Sequence, residues 1–243
     1  MLQNKTIIVT GAASGIGAGI THECLKEGAT VIACDIDLAG LESLHSSLPD
    51  SPLYIHQVDV SSYEQVQDLF AFIHTSSLHP TGLVNNAGIY LGKSLLSYEL
   101  HEIDRVLAIN IKGYVYFSKL FGSRLLEQKK SGSIVNMASV SGQEGSSDAV
   151  YGLSKAAILG LTKSCAMNFS PFIRVNAVCP TLVDTPMMDQ VPAWRKTEYQ
   201  EHGLIKEPVT AQDVAHTVTF LLSAKAKHYT GATFDLNNGC YLR

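Results

Sequence analysis

The amino-acid sequence predicts an α/β fold in which helices cover both faces of a parallel β-sheet. Seven short runs rich in apolar and β-branched residues alternate with longer segments of helical period, and such alternation is typical of βαβ units. A glycine-rich turn stands between the first run and the first helical segment. The length of 243 residues, of which 46% are hydrophobic, suits one large domain over residues 1–243.

The predicted strands and helices follow one another along the chain. Strands are expected at residues 5–10, 29–34, 53–58, 81–87, 132–139, 173–178 and 232–236. Helices are expected at 15–28 and around 37–47, 62–75, 100–128, 150–169 and 210–223. Because crossovers between parallel strands are right-handed, these helices should lie on both faces of the sheet.

Residues 180–208 interrupt this alternation. The segment carries four prolines and has no strong period. A connection of this length in a compact domain usually has a function or is mobile. It also follows a strand end, where open parallel sheets bind ligands. We therefore predict a lid over a substrate pocket at 180–208, with a merely decorative insertion as the alternative.

Composition and charge argue against several classes of protein. The formal net charge is −4 and the pI is about 6.1, without a Lys/Arg run that would favour nucleic acid or an anionic membrane. The five cysteines form no CxxC pair, and the nine histidines show no metal-ligand spacing. No apolar stretch approaches the ~20 residues that span a bilayer, and the N-terminus has little room for a signal peptide. We expect a cytoplasmic protein with reduced thiols and no metal, and with neither nucleic acid nor membrane as a partner.

The segment TGAASGIG, residues 10–17, joins the first strand to the first helix. Glycines at such a turn allow a tight bend and a close approach of the backbone to a ligand. The N-terminus of the following helix offers unpaired N–H groups and the positive end of a dipole to a pyrophosphate. Gly11, Gly15 and Gly17 are therefore predicted to bind a dinucleotide, although a plain structural turn is the alternative.

Asp35 ends the second predicted strand, 18 residues after Gly17. This distance is close to the ~20 residues expected for an acid that binds a ribose. Its carboxylate can accept hydrogen bonds from a 2′-hydroxyl group and would repel a 2′-phosphate. No Arg or Lys occurs in 11–17 or 33–39, so the pattern favours NAD over NADP. The alternative is that Asp35 only caps the next helix.

Tyr151 and Lys155 form the only Tyr-x3-Lys pair among ten tyrosines. Residues at i and i+4 lie on the same face of a helix, so the ammonium group can lie near the phenol. A free tyrosine has a pKa of ~10, and one cation ~4 Å away supplies about 4 kcal/mol at an effective dielectric near 20. That magnitude is sufficient to bring the pKa close to ~7 if the geometry allows it. A solvated helix pair is the alternative.

In order and spacing, these motifs resemble the short-chain dehydrogenase/reductase family. The segments that carry the resemblance are TGAASGIG (10–17), Asp59-Val60, Asn85-Asn86-Ala87-Gly88, Asn110, Ser139, Tyr151-x3-Lys155 and the segment from Pro180 to Thr185. The resemblance runs along the whole chain. It implies a single doubly wound Rossmann domain with a seven-stranded parallel sheet, assembled as a homotetramer.

The resemblance also implies roles for individual residues. Cofactor contacts are expected from Gly11, Ser14, Gly15, Ile16, Gly17, Asp35, Asp59, Val60, Asn86, Gly88, Val183 and Thr185, together with Tyr151 and Lys155. Tyr151 would exchange a proton with the substrate oxygen, which Ser139 would orient by a hydrogen bond. Asn110 would hold a water that passes the proton through Lys155 to solvent. Taken singly, Ser139 could be a turn or cap residue, and Asn110 could bond backbone within its own helix.

The substrate is only weakly specified by the sequence. An apolar wall is expected from Tyr90, Met187, Met188 and Trp194. Glu144 could meet polar substrate groups, and Arg195 could attract an anion or simply be a solvated charge. Thr181 stands where the family usually has glycine, and Asn237-Asn238-Gly239 replaces the usual C-terminal turn. These departures leave the predicted proton-transfer residues unchanged.

Three functions are compatible with these features to different degrees. The first is NAD-dependent hydride transfer between the cofactor and a small secondary alcohol or ketone, such as a hydroxy acid or a polyol. The second is reduction of a 3-oxoacyl thioester on an acyl carrier protein, which NADPH use would favour and Asp35 disfavours. The third is a dinucleotide-sensing module without turnover, which predicts a broken catalytic set. The complete set of Asn110, Ser139, Tyr151 and Lys155 disfavours this last function.

Overall fold

The computed structural model describes residues 1–242, so Arg243, at the end of the predicted domain, lies outside the described residues. Its centre is a seven-stranded parallel sheet with the strand order β3-β2-β1-β4-β5-β6-β7, as predicted. The strands are β1 (Thr6–Thr10), β2 (Thr30–Asp35), β3 (Leu53–Gln57), β4 (Pro80–Asn85), β5 (Gly132–Met137), β6 (Ile173–Pro180) and β7 (Thr233–Leu236). Each predicted strand occurs, with its ends displaced by two residues at most.

Nine α-helices accompany the sheet within the described part of the chain. They are α1 (Gly15–Lys26), α2 (Leu38–Ser46), α3 (Tyr63–Thr75), α4 (Leu100–Leu107), α5 (Gly113–Glu127), α6 (Ser141–Glu144), α7 (Ala149–Asn168), α8 (Ala193–His202) and α9 (Ala211–Leu222). Short 3₁₀ turns lie at Leu95–Ser97, Pro186–Gln190 and Ala224–Ala226. None of the helices in the described residues is long and apolar enough to cross a membrane.

Alternate residues of the strands face two separate hydrophobic layers. In β1, Ile7 and Val9 pack into the layer that contains residues of α1, α2 and α9. Ile8, between them, packs into the layer formed by residues of α3, α5 and α7. Both layers exclude water from the central strands, which is why these strands are apolar at nearly every position. The sheet is thus covered on both faces, as the sequence predicts.

Two predicted elements differ from the observed ones. The single helix expected over 100–128 is divided into α4 and α5 by a π-helical turn at Ala108–Lys112. Such turns have nearly the same hydrophobic period as an α-helix and often occur at functional sites. The 180–208 segment, expected to lack a regular period, contains α8 and a 3₁₀ turn. The N-terminus of α8 follows Pro192, which suits a helix start because a proline there loses no intrahelical hydrogen bond.

The strand order reverses between β1 and β4. β1 pairs with β2 on one side and with β4 on the other, so the connections leaving the two halves of the sheet diverge at this point. The carboxyl ends of strands at such a reversal form a crevice in which open α/β sheets bind their ligands. Gly11 and Asn86 directly follow β1 and β4, and other predicted site residues lie at or shortly after the carboxyl ends of β2, β3, β5 and β6.

Candidate active site

A single cavity of ≈ 390 Å³ lies at the carboxyl edge of the sheet. Thirteen of the fourteen predicted cofactor residues line it: Gly11, Ser14, Gly15, Ile16, Asp35, Asp59, Val60, Asn86, Gly88, Tyr151, Lys155, Val183 and Thr185. Ser139 lines it as well. Predicted residues separated by up to 174 positions in the sequence, from Gly11 to Thr185, thus share one crevice.

The turn between β1 and α1 has a backbone that requires glycine. Gly11 and Gly15 adopt φ values of 65° and 53°, which side chains with a Cβ rarely adopt. Gly17 does not line the cavity. A Cβ on Gly17 would lie 1.8 Å from the carbonyl oxygen of Gly11, so this glycine lets α1 pack directly on the turn. The side chain of Asn86 supports the turn by donating hydrogen bonds of 3.1 Å to the carbonyl oxygens of Thr10 and Gly11.

The N-terminus of α1 has the features of an anion site. Its N-cap residue, Ser14, makes no side-chain hydrogen bond to the helix. The first N–H groups of this twelve-residue helix therefore keep their hydrogen-bonding capacity, and they open toward the cavity that Ser14, Gly15 and Ile16 line. Unpaired helical N–H groups together with the helix dipole suit a pyrophosphate.

Asp35 lies at the end of β2 and lines the same cavity. One carboxylate oxygen accepts a hydrogen bond from the N–H of Ala13 (2.9 Å), and the other accepts one from the N–H of Asp37 (3.1 Å). The alternative that Asp35 caps α2 is wrong, because the N-cap is Asp37, whose carboxylate accepts the N–H of Gly40. Asp35 is thereby held rigidly between the glycine turn and α2, with acceptor lone pairs remaining for a ribose hydroxyl. The glycine turn, the uncapped helix and Asp35 together fit a nicotinamide dinucleotide.

Tyr151 and Lys155 occupy the first two turns of α7. The ammonium nitrogen of Lys155 lies 5.7 Å from the centre of the Tyr151 ring and donates a 2.9 Å hydrogen bond to the carbonyl oxygen of Met137. The same carbonyl accepts the hydroxyl of Tyr114 at 3.0 Å. Lys155 is only 4% exposed, so the alternative of a solvated helix pair is wrong.

The pKa of the Tyr151 phenol differs from the value expected for this pair. Burial lowers the pKa of Lys155 to about 8. The Tyr151 ring keeps some surface open to the cavity, but the surrounding protein displaces water from its phenol, and this desolvation raises the pKa of Tyr151 to about 12. A hydrogen bond with Ser139 opposes the rise without cancelling it. In the chain by itself, desolvation therefore outweighs the attraction of Lys155, which was expected to bring the pKa of the Tyr151 phenol close to ~7.

Asn110 lies in the π-helical turn and is fully buried. Its amide oxygen accepts the N–H of Ile89 at 2.8 Å, and its amide nitrogen donates to the carbonyl of Ile89 and to the hydroxyl of Ser154. Asn110 does not line the cavity. It does not bond backbone within its own helix either, so that alternative is wrong. The observed bonds hold the loop after β4 against α7, while the predicted water relay through Asn110 stays a prediction.

One wall of the cavity comes from the 180–208 segment. Met187, Met188, Val191, Arg195 and Tyr199 line the cavity there. Tyr90 also lines it, and its ring packs edge-on against Tyr151 with centroids 5.0 Å apart. Trp194, expected in the apolar wall, is instead 59% exposed and lies outside the cavity lining.

Sequence reasoning missed an ion-pair cluster that joins this wall to α6. One terminal nitrogen of Arg195 lies 3.0 Å from a carboxylate oxygen of Glu144, which also accepts the hydroxyl of Tyr199. The other terminal nitrogen lies 2.6 Å from Glu198. The Arg195 side chain is 15% exposed, so it is not the solvated charge that was considered as an alternative. Only the i,i+3 spacing of Arg195 and Glu198 is visible in the sequence; the partner 51 residues away is not.

Comparisons with known proteins point to one family. A family model described as enoyl-(acyl carrier protein) reductase matches residues 11–241. A (3R)-3-hydroxyacyl-CoA dehydrogenase of Canis lupus familiaris is 33% identical, covering 99% of this chain and 98% of the relative. A 3-oxoacyl-[acyl-carrier-protein] reductase of Thermotoga maritima is 32% identical, covering 98% of each. A structure of 4-hydroxyisoleucine dehydrogenase complexed with NADH is 31% identical, with a TM-score of 0.91 over 98% of each chain.

The fold, the family model and these relatives together define the class of protein. The chain belongs to the short-chain dehydrogenase/reductase family, and it is an oxidoreductase.

Proposed function

We propose that the protein is an NAD-dependent dehydrogenase of a small secondary alcohol, acting reversibly on the corresponding ketone. The observation that carries this proposal is the set of residues that line one cavity. A rigid acid, Asp35, lies at one end, and Ser139, Tyr151 and Lys155 lie together at the other.

Tyr151 would act as the general base in alcohol oxidation and as the general acid in ketone reduction. Ser139 would donate a hydrogen bond to the substrate oxygen and orient its carbinol carbon. The bound nicotinamide supplies hydride acceptance in oxidation and hydride donation in reduction. Lys155, with a pKa of about 8, is mostly protonated at pH 7, so it would stabilise the phenolate that forms when Tyr151 gives up its proton.

The preference for NAD over NADP rests on Asp35. Its carboxylate is fixed by two backbone N–H groups, so it cannot easily turn away from a ribose phosphate. A 2′-phosphate would meet this negative charge with no Arg or Lys in 11–17 or 33–39 to neutralise it. The 2′-hydroxyl of NAD can instead donate a charge-assisted hydrogen bond.

The 180–208 segment would act as the lid of the substrate pocket. Its methionines and Val191 give the pocket an apolar surface, since they line the cavity beside Tyr90. Methionine side chains adapt to different shapes, which suits the predicted range of hydroxy acids, polyols or similar alcohols. The lid and the sheet would together form the predicted domain of residues 1–243.

A 3-oxoacyl-thioester reductase is the second candidate, favoured by the similarity to the Thermotoga maritima reductase. It would use the same proton-transfer residues in the direction of reduction. A non-catalytic dinucleotide sensor is disfavoured, because Ser139, Tyr151 and Lys155 are all present around one cavity.

We also propose a homotetramer in the cytoplasm. Leu96 and Leu100 are 97% and 82% exposed on neighbouring turns, and exposed apolar groups of this kind favour burial between subunits. The five cysteines are free thiols, as expected in a reducing compartment. Light scattering coupled to gel filtration would give the mass; a monomer at micromolar concentration would contradict the tetramer.

Titration of the purified protein with NADH and with NADPH tests the cofactor assignment. Nicotinamide fluorescence should report tight binding of NADH and weak binding of NADPH. A preference for NADPH would overturn the role of Asp35 and move the thioester reductase to first place. Binding of neither cofactor would contradict the glycine-turn site.

A further inference from the structure

Asp148 is a fully buried carboxylate directly before α7, and the mechanism above assigns it no role. Its oxygens accept the N–H of Tyr151 at 3.0 Å and the N–H of Gly92 at 3.0 Å. They also accept the hydroxyl of Tyr98 at 2.8 Å. Three separate donors, two of them from the loop after β4, therefore converge on one side chain.

The charge of Asp148 has hydrogen bonds but no cation as its partner. No Lys, Arg or His in the described part of the chain forms an ion pair with it. A buried carboxylate without a counter-ion is costly unless several hydrogen bonds stabilise it. The N-terminus of α7 adds a favourable dipole. An ordinary N-cap needs only the bond to the N–H of Tyr151, so the other two donors indicate a further role.

These bonds connect the catalytic helix to the loop and the lid. Gly92 has a φ of 68°, and a Cβ there would lie 2.7 Å from the carbonyl oxygen of Gln190 in the lid. The loop therefore passes in close contact beneath the lid at the point where Asp148 holds it. Tyr90, two residues earlier, packs its ring against Tyr151.

Several groups face the Tyr151 phenol from the elements packed around it. Tyr90 comes from the loop after β4, Ser139 follows β5, Cys179 comes from β6 and Lys155 belongs to α7 itself. Desolvation is the largest cause of the raised pKa of Tyr151, and the negative charge of Asp148 raises it further. Burial raises the pKa of Tyr90, and the same charge raises it further.

We propose that Asp148 is a positioning residue for proton transfer, which fixes the first turn of α7 against the loop after β4 and holds a negative charge near Tyr151. This role rests on the proposed function, in which Tyr151 is the acid–base group. Asp148 would then have two effects. Its oxygens hold the first turn of α7 against the loop, and its negative charge makes ionisation of the Tyr151 phenol harder.

Asp148→Asn removes the charge and keeps an acceptor for the N–H of Tyr151, while its NH2 group can no longer accept the N–H of Gly92. Without that charge the Tyr151 phenol ionises more easily. In alcohol oxidation the base must be ionised, so the rate rises as pH rises through this ionisation. The rising limb of the pH profile of kcat should therefore move to lower pH by about 1 unit. As a control, Asp68→Asn removes one negative charge from the exposed face of α3. This substitution should leave the pH profile of kcat unchanged.

A second readout does not depend on turnover. Ultraviolet difference absorbance measures tyrosine ionisation, and the difference between a protein and its Tyr151→Phe variant isolates Tyr151. Asp148→Asn should lower the pH of this ionisation by the same amount. Asp148→Ser, which keeps a capping oxygen, serves if the asparagine variant does not fold.

An unchanged ionisation of Tyr151 in a folded, uncharged variant would overturn the role of Asp148. If the wild type oxidises no secondary alcohol with either cofactor, the proposed function fails. The spectroscopic titration still decides the role of Asp148 in that case.

Discussion

The two ends of the cavity are built in different ways. The end that we assign to the cofactor, here called the cofactor end, is formed mainly by backbone: a glycine turn, a helix N-terminus and one acid held by two N–H groups. The end that we assign to the substrate, here called the substrate end, is lined by side chains from distant segments, among them Tyr90, Met187 and Arg195. Glu144 and Asp148 support this end from outside the cavity lining, through Arg195 and through the loop after β4. The first end depends on local geometry, whereas the second depends on tertiary contacts.

This difference has a consequence for specificity. Backbone groups at the cofactor end are not altered by most substitutions, so we expect few residues to select its ligand, above all Asp35. The substrate end can be changed by replacing any one member of its side-chain clusters. We therefore expect substitutions at the two ends to affect different kinetic parameters.

The largest effect is expected where the two ends meet, at Tyr151. Tyr151→Phe removes the group that exchanges the substrate proton, and kcat for alcohol oxidation should fall about 10³-fold. NADH affinity, measured by fluorescence, should stay within about threefold of the wild type, because the ring remains in place. Tyr54→Phe, on an exposed position of β3, is the matched control and should retain full turnover. Retention of most turnover in Tyr151→Phe would remove Tyr151 from the mechanism.

Lys155→Met should separate activity from stability. Turnover should fall by about 10²-fold, because the cation that stabilises the phenolate is lost. The melting temperature should stay the same or rise, because a buried ammonium group with a pKa lowered by desolvation is replaced by an apolar chain. The carbonyl of Met137 keeps its bond from Tyr114. Thermal unfolding measures the outcome, and a large drop in melting temperature would show that Lys155 is mainly structural.

Asp35→Asn tests the cofactor end alone. The amide keeps an acceptor but loses the charge, so NADH affinity should fall about 10-fold, while NADPH affinity should rise. The same substitution at the neighbouring helix cap, Asp37→Asn, should change the ratio of the two affinities much less. Equal ratios in both variants would mean that Asp35 does not select the cofactor.

The smallest effect is expected at the substrate end. Glu144→Gln weakens the bonds to Arg195 and Tyr199, so KM should rise by about 3- to 10-fold with kcat nearly unchanged. Glu198→Gln breaks only the more exposed pair of Arg195 and should raise KM less. If Glu144→Gln changes NADH affinity instead of KM, the cluster serves the cofactor end and the division of the cavity is wrong.

The same division explains which parts of the site the sequence predicts. Gly11, Asp35 and the Tyr151–Lys155 pair belong to short local patterns whose geometry follows from spacing, and the structure brings them to one cavity. Asp148 and Glu144 accept hydrogen bonds from partners far away along the chain, which no local pattern identifies. The π-helical turn at Asn110 was missed because its hydrophobic period resembles that of an α-helix. The raised pKa of Tyr151 was missed because it depends on burial, which spacing does not measure.

Transfer of deuterium tests the central claim most directly. The protein would be incubated with NAD and with secondary alcohols that carry deuterium on the carbinol carbon: a hydroxy acid, a polyol and a 3-hydroxyacyl thioester. The account predicts that at least one alcohol yields NADH containing one deuterium, and that Tyr151→Phe slows the transfer about 10³-fold. Unlabelled NADH, or no reduction of NAD by any of the alcohols, would contradict it.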